Sequence, residues 1–203
     1  MHLADVVLFL HIFIAICAFA CAAILHTSQF VSRGATTTGT LKAWAPVAHR
    51  VEPLFPILAL ILFALGAWLL GLSDGEFKWS DGWVIASIVG LFAMEAAGGV
   101  VLAPAGKKLH EAIMTAPDGP VDGALRAQVL DRAVWAVSFF ETATALGIVY
   151  LMTNKPSGVA SGIIVGASAL AGLAIGAAAA RQSAPVVLAT SVPAAAQADG
   201  GQL

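Results

Sequence analysis

The chain predicts an all-α, polytopic membrane bundle, a four-helix core joined by a fifth, glycine-rich transmembrane helix, and three observations carry that prediction. First, 59% of its 203 residues are hydrophobic and 11% are charged, less than half of the roughly 25% charged residues of a soluble domain. Second, apolar windows of about 18 residues or more, enough for the ~30 Å hydrocarbon core of a bilayer, occur near residues 3–25, 54–72, 83–103, 133–152 and 158–180. Third, the connections between these windows alternate in charge, as segments on opposite sides of a membrane do. The division expected is a four-helix bundle over 1–156, a fifth helix over 157–181 and a disordered tail over 182–203, where Ala, Ser, Pro, Gln and Gly leave too few large apolar residues for a core.

The first span, LADVVLFLHIFIAICAFACAAIL, sets His11 inside an apolar run. It lacks a basic leading region and is too long for a secretory signal, so it is expected to be retained. Cys17 and Cys21, the only cysteines, lie about one helical turn apart, a poor geometry for a disulfide. They read as small packing residues, with a Cu(I) thiolate pair as the alternative. A loop of nearly thirty residues, HTSQFVSRGATTTGTLKAWAPVAHRVE, is expected next, with Arg33, Lys42 and Arg50 against Glu52 alone.

The connection SDGEFKWSDG is acidic, and its Trp79 and Trp83 suit a membrane interface. Between Pro104 and Asp131 the chain is cationic again, through Lys107, Lys108 and Arg126. There AGKKLHEAIMTAP keeps the helical period with Leu109, Ile113 and Met114, so the third helix is expected to protrude from the bilayer. Pro117, Gly119 and Pro120 end it, and a new helix is expected from Val121 or Asp122. Placing the first loop, this connection and the tail together puts eight of the ten Lys and Arg on one side. By the positive-inside bias that side is cytoplasmic, with the N-terminus outside and the C-terminus inside; Ala and Gly richness points to a bacterial inner membrane. The fifth span repeats glycine at four-residue spacing, Gly158, Gly162, Gly166 and then Gly172, Gly176. Small residues so spaced let helix backbones approach closely in lipid, so this helix is expected to pack against the bundle or another subunit.

Ionisable groups within a bilayer cost ~2.5 kcal/mol or more when charged, which makes each a functional hypothesis. Three stand inside the spans: His11, Glu95 and Glu141. At ~1.5 Å per residue they lie roughly 10, 20 and 15 Å from the outer end. Ala15, Ala18 and Ala22 fall within about 40° of His11, so the imidazole faces other helices. One reading is a polar centre: a proton relay, a metal site or a cofactor pocket. The other is structural, with protonated carboxyls bonded to Ser138, Thr142 or Thr144. Glu52 is placed at a span end in reach of water, and Gly98 and Gly99 read as packing residues. His26, His49 and His110 end the first span, begin the second and extend the third; a haem held by two histidines would need two of this set. No P-loop, dinucleotide fingerprint, nucleophile elbow or zincin motif is present, which points away from soluble-type enzymology.

The LHIF around His11, the segment RVEPLFPILALILFALGAWLL and the close of the fourth span in IVYLMTNKP together resemble a group of bacterial integral membrane proteins, domain of unknown function 2269. That group is distantly similar to the copper-resistance CopD membrane domain and to HemJ-type protoporphyrinogen oxidases. The resemblance covers about residues 3–156 and implies a four-helix core with the fifth helix as an addition. It also implies haem b as a cofactor, with His11 as axial ligand. HemJ-type proteins use a lysine within the bundle as well, and the second and third spans here contain none. The leading expectation is therefore a non-catalytic subunit or accessory protein, whose partners are the lipid bilayer and other membrane subunits or a second copy. The small net charge of −2 gives no reason to expect nucleic acid. The alternatives are a haem- or metal-linked redox protein using His11 and a small proton-coupled transporter using Glu95 and Glu141.

Overall fold

A computed structural model describes residues 2–181, and they are helical almost throughout. The tail over 182–203, expected to be disordered, lies outside the described residues. The elements are α1 (Leu3–Gly34), α2 (Thr38–Val51), α3 (Leu54–Gly71), α4 (Gly82–Ala97), a π turn (Gly98–Leu102), α5 (Ala103–Thr115), α6 (Gly123–Val129), α7 (Arg132–Asn154) and α8 (Gly158–Arg181). Five rods are long and apolar enough to cross a membrane. Phe9, Leu60, Val89, Val159 and Leu170 are all exposed. A surface that presents such side chains outward is stable against lipid and not against water.

The expected loop after the first span is instead mostly helical. α1 runs nine residues beyond Leu25, and α2 fills most of the remainder. An apolar window stops where polar residues begin, whereas a helix stops only where its backbone loses partners or meets a breaker. At 32 residues, α1 is about 48 Å long, some 18 Å more than the hydrocarbon core. The rods α2–α3 and α4–α5 overshoot on the same side, and with α6 they form a cap with its own small core of Ala35, Leu41, Ala45, Ile113, Leu125 and Val129. Leu41 and Ala45 are one turn apart on α2, so one stripe of that helix faces inward. The third helix protrudes as expected, and α6 opens next to the expected start, with Asp122 Oδ1 accepting from Leu125 N at 2.7 Å as its N-cap.

Polar contacts lock the cap to the membrane rods. Thr38 Oγ1 donates to the carbonyl of Pro117 at 3.0 Å and accepts from Gly119 N at 3.1 Å. Lys42 Nζ donates to Asp118 Oδ1 at 2.6 Å, and this hydrogen bond and charge hold the Asp118 carboxyl below the usual carboxylate range. A lowered folded-state value means that the contribution is present above the unfolded value and is lost as pH falls through the folded one. Asp118 is exposed, so salt screens the pair and it contributes little.

Arg126 matters more: its guanidinium donates to the carbonyl of Arg33 at 2.8 Å and to that of Ala35. These are carbonyls at the end of α1 that no further helical turn can satisfy. Arg126→Ala is expected to destabilise the fold by about 1.5–3 kcal/mol, the range for hydrogen bonds to a charged group, measured as a lower midpoint of thermal unfolding in detergent. Trp135 is fully buried where α7 enters the bundle, and its Nε1 donates to Val129 O at 3.0 Å.

Within the bundle α7 and α8 form the most extensive pair, α1 lies on α3, and α4 touches both α7 and α8. The glycines of α8 divide into two groups. Gly172 and Gly176 are buried, and a Cβ on either would run into the backbone of α7 at Phe139–Phe140 and Trp135–Ala136. At the start of α4, a Cβ on Gly82 would run into the backbone of Gly158, whereas one on Gly158 would make only ordinary contact with Gly82. Gly162 and Gly166 face outward with open space beside them.

Candidate functional site

The rod α4–α5 carries two consecutive glycines, Gly98 and Gly99, in its apolar middle. Glycine is a poor helix former, and here the ladder widens from i→i+4 to i→i+5 over Gly98–Leu102. Such π turns are rare and are frequently found at functional sites. The sequence reading of Gly98 as a simple packing residue is incomplete. The space left by its missing side chain is taken by the carboxyl of Glu141 from α7, whose Oε1 lies 2.7 Å from where a Cβ would stand. Glu95 is on the same rod, one turn before Gly98. Both carboxyl groups belong to half-buried residues.

Glu52 reaches this region because the chain breaks between α2 and α3. Pro53 and Pro56 cannot donate to the carbonyls of His49 and Glu52, and a proline ring crowds the carbonyl four residues earlier. Glu52 therefore sits at a bend rather than in an open span end, half-buried, with its carboxyl over Gly106 and Oε2 2.7 Å from that residue's vacant Cβ position. In an unbroken α-helix Gly106 would stand roughly 80° around the axis from Gly98. The wider π turn rotates less per residue and brings the two glycines toward one face. One turn beyond Gly106, the ring of His110 stacks on that of His49, with centroids 4.3 Å apart and planes at 14°. A file of polar groups, Glu95, Glu141, Glu52 and the His49–His110 pair, thus follows one rod from mid-membrane to the cap.

The other candidate residues lie elsewhere. His26 does not join His49 and His110. Because α1 continues past it, His26 is inside the bundle, 2.8 Å from Thr142 Oγ1 of α7 and tilted against Phe139. Ser138 and Thr142, considered as partners for the carboxyls, are engaged otherwise: each donates to a backbone carbonyl of its own helix, and Gln29 Nε2 donates to Ser138 Oγ at 3.5 Å. His11 presses on α3, its Cε1 3.3 Å from the vacant Cβ position of Gly66, and its Nδ1 is buried without a partner. Cys17 and Cys21 are free thiols.

The residues around His11 do not fit a haem. Its Cε1 and Nδ1 lie 3.3 and 3.9 Å from the vacant Cβ position of Gly66, so that edge of the ring is closed off by α3. The next histidine along α1, His26, is about 22 Å away at 1.5 Å per residue and is held by Thr142. Among the described residues no three His, Cys, Asp or Glu side chains converge as a metal-holding group.

No curated protein and no solved structure matches this chain at the threshold applied. A family model described as "Predicted integral membrane protein (DUF2269)" matches residues 5–156, which takes in the cap, the carboxyl file and every span up to α7 and stops before α8. Since that match covers most of the chain, the protein belongs to the DUF2269 family of integral membrane proteins.

Proposed function

We propose that this protein is a small proton-coupled carrier of the bacterial inner membrane, with Glu95 and Glu141 as its proton-exchanging groups. The observation that supports it is the seating of Glu141 on Gly98 at a π turn, with a second intramembrane carboxyl, Glu95, one turn away on the same rod. A carboxyl kept in lipid without a cation costs stability whenever it ionises. Two such groups in one stretch of the bundle disfavour the state in which both are ionised, because carboxylates repel. Positioned to gain and lose that proton from opposite sides, they would couple its movement to that of a second solute. The cationic cap is placed in the cytoplasm, with the N-terminus outside, on the positive-inside bias. The end of the family match before α8 supports reading 158–181 as an addition to a four-span core. The experiment is dissipation of an imposed pH gradient in proteoliposomes of the full chain, followed with an entrapped pH dye. Glu95→Gln and Glu141→Gln should each suppress a flux that the unaltered chain supports; equal fluxes in all three would refute the reading.

A second reading, a non-catalytic subunit of a membrane complex, draws support from α8. Gly172 and Gly176 are used within the chain, but Gly162 and Gly166 present an open small-residue face to the lipid. Crosslinking through cysteines placed at 162 and 166 in native membranes tests it; monomeric, uncrosslinked protein would count against it.

A further inference from the structure

We infer that Glu52 is the cap-side entrance of the proton path, a relay between the water around the cap and Glu141. This rests on the proton-coupled reading above and extends it to a residue outside the bilayer's middle. Three independent features place Glu52 in that position. Pro53 and Pro56 interrupt the backbone hydrogen bonding beside it, between α2 and α3, at the level where the rods leave the bundle for the cap. Gly106, the glycine of α5 that receives its carboxyl, lies two turns beyond the glycine that receives that of Glu141, on the same rod and near the same face. Beyond it toward the cap, the next groups on that face are His49, which is exposed, and His110, half-buried with an unpartnered Nδ1.

The transfer itself balances simply. A hydronium ion at the cap gives one proton to the Glu52 carboxylate and is left as water, and the carboxylate becomes a neutral acid. That acid releases the proton to a hydrogen-bonded water, and the water passes it to the Glu141 carboxylate, leaving Glu52 ionised again. Gly98 and Gly106 are about 12 Å apart along the rod, so the hop runs through intervening water and not by direct contact. The Glu52 carboxyl is half-buried and seated on a glycine. Arg50, Lys107 and Lys108 are exposed and flank the entrance in sequence.

Proteoliposomes of the full chain, assayed by decay of an imposed pH gradient, test the assignment. Glu52→Gln should lower the flux about tenfold or more, as expected for removal of a proton-transferring group, and Glu52→Asp should restore part of it. Gly106→Ala, which leaves every carboxyl in place but puts a methyl group where the Glu52 carboxyl sits, should lower it severalfold. Gly71→Ala, at an exposed glycine with open space around it, serves as the control and should match the unaltered chain. If Glu141→Gln loses flux while Glu52→Gln, Glu52→Asp and Gly106→Ala all keep it, the entrance is overturned and the proton-coupled reading stands. If the unaltered chain leaks no faster than empty liposomes, both are overturned.

A readout independent of flux is labelling of the intact protein in lipid nanodiscs by a water-soluble carbodiimide, mapped by peptide mass spectrometry. Glu52 should be modified and Glu95 and Glu141 spared; an unmodified Glu52 would overturn the entrance even if a variant failed to fold.

Discussion

Glu141→Gln is expected to reduce proton flux through the reconstituted protein by roughly 10²-fold, the low end of what a positioned proton-transfer group contributes. The amide is nearly isosteric with the acid, so it should still fit beside Gly98, and the fold should survive. Removing a carboxyl from lipid also removes the cost of ionising it there, so the thermal midpoint should hold or rise. That combination, lost flux with kept stability, separates a proton-exchanging Glu141 from one that merely fills space, for which both properties would be unchanged. Gly98→Ala provides the geometric counterpart. Its Cβ would stand 2.7 Å from Glu141 Oε1, closer than a carbon and an oxygen can pack, so the carboxyl must leave its seat while the chemistry of every group is preserved. An intermediate flux is expected there, and a flux equal to that of the unaltered chain would show that the seat is irrelevant.

The largest structural effect is expected from Gly176→Leu. The side chain would enter space occupied by the backbone of Trp135 and Ala136, which cannot rotate aside as a side chain can. α8 must then move off α7 along the most extensive contact in the bundle. Overpacking a core typically costs 1–3 kcal/mol, and an unyielding backbone places this substitution at about 3 kcal/mol or more. Thermal unfolding in detergent, with protease accessibility of α8 as a second measure, reads the result. Gly162→Leu, on the open face of the same helix, should change stability by less than about 0.5 kcal/mol, the usual range for surface sites. A similar midpoint for the two variants would contradict the packing described for α8.

The spans were legible because lipid imposes one rule on every helix, a long apolar run, and composition alone reveals it. The four-residue spacing of Gly172 and Gly176 was legible for a similar reason: close backbone approach leaves small residues at helical intervals. The carboxyl file was only half visible. Glu95 and Glu141 stand out as charges in apolar surroundings, but Glu52 lies in a polar stretch that composition assigns to a loop. Its relation to Gly106 spans 54 positions of sequence and exists only once α2 and α5 are packed together. His26 was misplaced because the end of an apolar window was taken for the end of a helix. The π turn left no sign beyond its glycine pair, since the number of residues in a turn is decided by packing on α7 and not by local propensity.

That turn also sets how the two halves of the rod are phased. An i→i+5 turn holds one residue more than the α turn it replaces, so if the stretch closed as ordinary helix with its number of residues unchanged, the rod beyond it would be one residue out of phase. Everything beyond would then turn by roughly 100°. Ile113, 2% exposed in the cap core, would swing out of it, and Gly106 would turn away from Glu52. The membrane core and the cap core are therefore keyed to one another by a single residue: deleting Gly99 as the turn closes should keep them in phase, whereas a one-residue deletion in the α-helical part of the rod between the turn and the cap should unseat the cap.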